Sequence, residues 1–171
     1  VSESQLGNVI TLCGWVAKRR DHGHLIFVDL RDRSGIMQVV FSPEIEKQSH
    51  ELAKSLRSEF VISVTGKVVL REQGTINKDL QTGKFELQVD KLTLLNRSKA
   101  LPFSLEDENE IDEDLRLKYR YLDLRRPIMQ ERIAMRHKMI FAMREYLNTQ
   151  EFYEIETPVL TKNTAEGARE F

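Results

Sequence analysis

One cysteine, Cys13, is present, so no disulfide can close within the chain. No apolar run approaches the ~20 residues that a membrane-spanning helix needs. The opening residues, Val1-Ser2-Glu3-Ser4-Gln5, carry neither a basic segment nor an apolar one, so nothing there reads as a secretory signal. The four histidines, His22, His24, His50 and His137, lack the spacing of a zinc site, and no glycine-rich loop is built to cradle a phosphate. No metal site and no membrane contact are therefore expected, and the expected compartment is the cytoplasm. Charge of one sign is not in excess either: 26 basic and 27 acidic residues give a net charge of −1, unlike the strongly basic balance common in nucleic-acid binders.

The charges are unevenly placed, however. Lys18-Arg19-Arg20, Arg31, Arg33, Lys67 and Arg71 fall in the first half, whereas Glu106-Asp107-Glu108-Asn109-Glu110 and Asp112-Glu113-Asp114 form an acidic block in the middle. An acidic block can hide a local basic face from the net figure. Ordinary solvated charge explains the same pattern.

Residues Val9 to Arg20 are rich in β-branched and aromatic types and read as a strand, with Gly14 where a bulge or tight bend is expected. Leu25 to Leu30 and Ile36 to Phe41 read as two more strands, separated by turn residues. Ser42-Pro43-Glu44 has the cap and first-turn chemistry of a helix, expected to run to about Leu56. Phe60 to Leu70 and Phe85 to Leu95 are the fourth and fifth strands. Three strands, a helix and two strands is the order of an OB-fold, a five-stranded Greek-key barrel. Such barrels hold single-stranded nucleic acid or make protein contacts, and topology alone does not choose between them.

Side-chain alternation sharpens the choice. Ile26, Val28 and Leu30 share one face of the second strand; Met37, Val39 and Phe41 share one face of the third. These apolar sets are the expected barrel interior. Phe27 and Gln38 then face outward, beside Arg20 and Arg31. An exposed ring stacks on an unpaired base, an amide reads a base edge, and arginines meet phosphate. The alternative is that a loop covers Phe27.

The expected organisation is an OB-fold domain over residues 1–97, an acidic linker over 98–115, and the incomplete start of a second domain over 116–171: mostly β, with an α+β continuation. In that last part Pro127 starts a long helix to about Thr149. Met129, Ile133, Ile140, Met143 and Leu147 recur at helical spacing, which predicts one buried face. Phe152 to Leu160 reads as an edge strand or a bent one, because it carries Pro158.

Three stretches carry a resemblance: CGWVAKRRDHGHLIFVDLRDRSGIMQVVF from Cys13, KYRYLDLRRP from Lys118, and FYEIETPVLTKNTAEGAREF from Phe152. In this order they resemble aspartyl-tRNA synthetases of the bacterial type, and the likeness covers nearly the whole chain. Phe152 to Leu160 looks like motif 1 of class II synthetases. Asparaginyl- and lysyl-tRNA synthetases share the architecture and are the nearest alternatives; a stand-alone OB-fold binding single-stranded nucleic acid is a third. The ending Glu166-Gly167-Ala168-Arg169-Glu170-Phe171 favours the aspartate family over the lysine one.

The resemblance implies that the barrel grips an anticodon loop. Phe27 matches the base-stacking phenylalanine, and Arg20, Gln38, Arg71, Asn77 and Glu86 match base-reading and backbone contacts. His22 and Gly74 match the positions flanking the third anticodon base. In that pairing they resemble the non-discriminating kind, which charges tRNA(Asp) and tRNA(Asn); the alternative is that both merely suit tight turns. Pro158 matches the centre of a homodimer interface, and Glu166 a contact to the aspartate substrate. ATP and Mg²⁺ are implied for the full-length enzyme. The arginine-bearing motifs 2 and 3 are absent from this sequence, so no catalytic residue is assigned and this stretch alone is expected to be inactive. Two positions depart from the family: Glu151 stands where glycine is usual, and Ala165 where proline is usual.

Overall fold

The computed structural model describes residues 1–106 and 111–160. The chain divides into two compact units, Val1–Ala100 and Leu101–Phe171. The first unit is a closed barrel of five strands: β1 (Val9–His22), β2 (Leu25–Asp32), β3 (Gly35–Phe41), β4 (Val61–Leu70) and β5 (Phe85–Asn96). Their order around the barrel is β1-β2-β3-β5-β4. The closing pairing of β3 with β5 is parallel, at Val39–Leu87 and Val40–Gln88. This is the OB-fold that the element order predicts.

The interior is the expected alternating set. Val16, Val28, Val39, Ile62, Val64 and Leu87 are fully buried. Each such side chain is worth about 1.5–3 kcal/mol of apolar burial. A helix, α1 (Lys47–Ala53), packs against β3 and β5. It begins four residues later than its sequence suggests. The Ser42 hydroxyl accepts from Glu44 N, and Ile45 and Glu46 donate to the Ser42 carbonyl, so Ser42-Pro43 build a turn. Glu46 is the true cap, accepting from Gln48 N at 2.9 Å.

Glycine at position 14 answers to close approach rather than to a bulge. A Cβ there would lie 2.5 Å from the Arg31 carbonyl oxygen. The bulge in β1 comes three residues later, where Val16 pairs with Leu30 and Lys18 with Asp29, leaving Ala17 over. That extra residue reverses the alternation. Val16 points inward; beyond the bulge Lys18 and Arg20 lie opposite Asp29 and Phe27 and share their outward face. Arg19 takes the inward side at the barrel's end. It donates to the carbonyls of Lys54 and Leu56 after α1 and pairs with Asp21.

The second unit carries α2 (Glu113–Lys118), α3 (Arg120–Asp123) and α4 (Pro127–Thr149). Helix α2 starts inside the stretch expected as linker, capped by Asp112, whose carboxylate accepts from Leu115 N. Asp123 is fully buried and receives Arg116, Arg120 and Arg126. Burial alone would raise its carboxyl. Hydrogen bonds from Arg116 and Arg126 and the charges of Arg116 and Arg120 outweigh that and hold it below the usual carboxylate range. Helix α4 has the predicted bounds, with Pro127 at its first turn.

Two expectations for this unit are corrected. Of the five apolar residues on one face of α4 only Met129 is buried; Ile133, Ile140, Met143 and Leu147 are exposed. Periodicity marks a face able to bury, and burial also requires a packing partner. Residues 152–160 form no strand: Phe152, Tyr153, Ile155 and Val159 are exposed, and the stretch pairs with no strand among the described residues. A strand needs a neighbour for its backbone groups. The residues from 161 on, with Ala165 and Glu166, and Asp107 to Glu110 of the acidic block, lie outside the described residues.

Candidate nucleic-acid interface

The outward face of β1, β2, β3 and β5 carries a continuous polar network. Arg20 on β1 donates through one Nη to Asp29 on β2 at 2.6 Å and to the Gln38 Oε1 on β3 at 3.4 Å. Gln38 Nε2 donates to the Glu86 carboxylate on β5 at 2.9 Å. The Gln38 amide is thereby oriented, with its oxygen towards Arg20 and its nitrogen towards Glu86. Strand register makes this possible: Asp29 lies opposite Gln38, and Phe27 lies opposite both Arg20 and Val40. Phe27 is half-buried beside the network.

Arg71, just past β4, belongs to the same electrostatic group. Its Nε donates to the Phe85 carbonyl at 3.0 Å and its Nη1 to the Thr75 carbonyl at 3.4 Å. The side chain is buried, and its Nη2 has no hydrogen-bond partner among the described residues. Burial lowers the Arg71 guanidinium from its ordinary value, against the favourable charges of Glu86 and Asp29. Burial also raises the Glu86 carboxyl, and the Gln38 hydrogen bond and the Arg71 charge offset only part of this. Two cations and two anions thus share one face with little net charge.

The arginines of the expected face each have partners within the fold. Arg20 is paired with Asp29, and Arg31 with Glu59 at 2.6 Å. Arg71 is turned inward to loop carbonyls. None of the three offers an unengaged guanidinium to phosphate. Gln38 is on the outward face as expected, but it is buried in the network rather than exposed. Besides the half-exposed Arg20, exposed cations on this side include Lys18 opposite Asp29 and Lys67 opposite Gln88, neither in an ion pair among the described residues. The sequence reading missed Asp29 as a member of the site, although it stands two residues after Phe27 and so on the same face of the strand.

Asn77 is exposed in the β4–β5 loop. Its side-chain oxygen accepts from Asp79 N at 3.0 Å, and its backbone N donates to the Gly83 carbonyl at 3.1 Å. No described hydrogen bond joins it to the Gln38 network. A Cβ on Gly83 would fall 1.7 Å from the Asn77 carbonyl oxygen, so this loop closes only with glycine there. His22 is exposed at the end of β1, before the turn where Gly23 has a φ of +62°. Gly74 is exposed in a short 3-10 turn, Gln73–Thr75. Its φ lies outside the left-handed region and a Cβ would meet nothing within 4 Å. The backbone does not demand glycine at 74. Pro158 lies in the exposed irregular stretch after α4. Among the described residues no group of three or more His, Cys, Asp or Glu is placed to hold a metal ion, and no helix is long and apolar enough to cross a membrane.

Residues 10–95 match the family model for the OB-fold nucleic acid binding domain, and residues 112–171 that for tRNA synthetases class II (D, K and N). The chain is 52% identical over its whole length to a Geobacillus protein named aspartate–tRNA(Asp/Asn) ligase, of which it spans 29%. It is also 52% identical over its whole length to a Macrococcus caseolyticus aspartate–tRNA ligase, again spanning 29%. The asparaginyl-tRNA synthetase of Pyrococcus horikoshii, solved with asparaginyl-adenylate, superimposes with a TM-score of 0.80 at 28% identity, over 96% of this chain and 36% of that one. The chain therefore spans under a third of the length of these curated relatives.

Proposed function

The chain belongs to the aspartyl-tRNA synthetases, class II synthetases of the D, K and N group with an OB-fold nucleic-acid-binding domain, and from that premise we propose that the Phe27–Gln38 face of its barrel holds the anticodon loop of tRNA(Asp). The observation that carries this reading is the oriented Gln38 amide. Arg20 and Glu86 fix it on either side, next to a half-buried aromatic ring. A fixed amide reads one base edge, and the ring gives the neighbouring base a stacking surface. Both groups stand on paired strands, so little order has to be gained on binding.

In the longer enzyme, aspartate would be activated by ATP with Mg²⁺. Its α-carboxylate would attack the α-phosphate, forming aspartyl-adenylate and releasing pyrophosphate, and the terminal ribose hydroxyl of the tRNA would then attack the aspartyl carbonyl, forming the ester and releasing AMP. Glu166 would meet the substrate's ammonium group, as a carboxylate can. The described residues offer no site for the metal, and their part is tRNA selection. The stretch around Pro158 would contribute to a homodimer, and the enzyme would work in the cytoplasm. The Asp/Asn names of several relatives support a relaxed choice of tRNA at His22 and Gly74.

The test is fluorescence anisotropy with two RNA hairpins, the anticodon stem-loop of tRNA(Asp) and the same stem with its three anticodon bases scrambled. The full chain should bind the first more tightly. Equal binding would remove the anticodon reading and leave a non-specific single-strand binder.

A further inference from the structure

An anion on a face that meets a polyanion works against binding, so the place of Asp29 needs a cause. Its carboxylate is largely covered and lies at the centre of the network, opposite Lys18 on β1 and Gln38 on β3. It accepts from Arg20 at 2.6 Å, and the same nitrogen of Arg20 then reaches Gln38 at 3.4 Å. The Arg20 side chain remains about half exposed, 46% by area, so the rest of its guanidinium faces solvent. A flexible arginine with nothing to hold it would follow the nearest phosphate. Tied at one nitrogen, it presents a planar fork in a fixed direction, which suits a base edge.

We propose that Asp29 is a positioning residue for anticodon recognition: it gives up some attraction for the RNA backbone in order to fix Arg20 against Gln38, and so converts charge into base selectivity. This rests on the anticodon reading above. The Asp29 charge also favours the charged form of Arg71, against the burial of that guanidinium. The electrostatic consequence is specific. Removing the charge should strengthen or leave unchanged the binding of any RNA through phosphate, while weakening the choice among RNAs.

The experiment measures the full chain and its Asp29→Asn, Arg20→Ala and Asp29→Asn/Arg20→Ala variants against the aspartate anticodon stem-loop and the scrambled hairpin. Asparagine keeps the shape and removes the charge. The ratio of the two affinities is expected to fall about tenfold in Asp29→Asn, in line with the loss of an interaction to a charged group, with affinity for the scrambled hairpin equal to or above wild type. The double variant should lose no more of the ratio than Arg20→Ala alone, because Asp29 acts through Arg20. A retained ratio in Asp29→Asn, or losses that simply add, would overturn the inference while leaving the anticodon reading intact. So would loss of cooperative melting of the Asp29→Asn barrel, which would make the carboxylate a fold requirement. A wild-type chain that does not distinguish the hairpins overturns the anticodon reading and this inference together.

Discussion

Gln38 on β3 donates its amide nitrogen to the Glu86 carboxylate on β5 at 2.9 Å, across the parallel pairing that closes the barrel. Burial raises the Glu86 carboxyl above its ordinary 4.5. Two pH effects of opposite sign follow. For stability, a raised folded pKa contributes stabilisation that is full below 4.5 and is lost as pH rises through the raised value. For binding, ionised Glu86 is the stronger acceptor that orients Gln38, so affinity for the aspartate stem-loop should grow over the same rise. Urea midpoints and anisotropy titrations across this window should diverge, and Glu86→Gln should flatten both. Parallel trends would show that the pair serves the fold alone.

Phe27→Ala should weaken binding to the aspartate anticodon stem-loop by roughly 1–3 kcal/mol, the value of one base–aromatic stack. The ring is half-buried beside Arg20 and Val40, so part of it is accounted for by packing on the sheet. Phe27→Leu separates the two roles. It keeps much of the packing and removes the flat face, and should bind nearly as weakly as alanine. Anisotropy with the full chain checks this, and full affinity in the leucine variant would remove the stacking role.

Salt dependence should be shallow and carried by lysine. Single-stranded contacts contribute a slope of about −0.7 per neutralised phosphate. Arg20, Arg31 and Arg71 are already met by Asp29, Glu59 and loop carbonyls. Lys18 is exposed on the same face and has no ion pair among the described residues. Lys18→Ala should therefore reduce the slope by about 0.7 in a log–log plot of affinity against salt. An unchanged slope would place the phosphate path elsewhere.

The barrel was legible because each strand carries its own period-2 record: Ile26, Val28 and Leu30 announce an interior whatever lies around them. The bulge at Ala17 was not, since nothing about alanine marks an unpaired residue; only the register against β2 reveals it. Without it, strict alternation from Val16 would have turned Lys18 and Arg20 inward. Phe27 and Gln38 could be chosen as site residues because alternation acts locally. The partners of the arginines could not, because Asp29, Glu59 and the Phe85 carbonyl come from other strands and loops. The exposed face of α4 shows the complementary limit, since a sequence pattern states what a surface could bury and only the fold states what covers it.

Glu151 occupies a left-handed backbone position, φ +64°, just after α4. Phe152 N donates to the Leu147 carbonyl and Glu151 N to that of Asn148, both at 3.1 Å, the paired bonds of a Schellman helix end. This gives a physical reason for the glycine usual here in the resembling family. A side chain in that conformation costs about 1–2 kcal/mol, and glycine's extra chain entropy returns about 0.5–1. Glu151→Gly should therefore stabilise the helix end by roughly 0.5–1 kcal/mol, read as a higher urea midpoint of the helical circular-dichroism signal. A lower midpoint would show that Glu151 makes a compensating contact.

The wild-type chain should bind anticodon loops ending in C and in U with similar affinity. Uracil and cytosine differ in one donor–acceptor pair on the Watson–Crick edge, and a site that bonds that edge rigidly separates them, because an unmet buried polar group costs about 1–3 kcal/mol. Gly74 brings no side chain to such a bond. Its backbone does not explain its presence, since φ is unstrained for any residue and a Cβ would meet nothing within 4 Å. The turn requirement near His22 is met by Gly23 instead, at φ +62°. Histidine at 22 is left free of a turn role, and its ring can donate or accept according to tautomer, so it tolerates either base. The open space at 74 admits a longer residue without refolding the loop. His22→Leu with Gly74→Lys should therefore shift preference towards the loop ending in C, through a lysine donor that the cytosine carbonyl and ring nitrogen can share and that meets the uracil N–H unfavourably. Side-by-side titration of both loops against wild type and the double variant decides it. A wild-type preference for C of tenfold or more would place the chain with the aspartate-only kind.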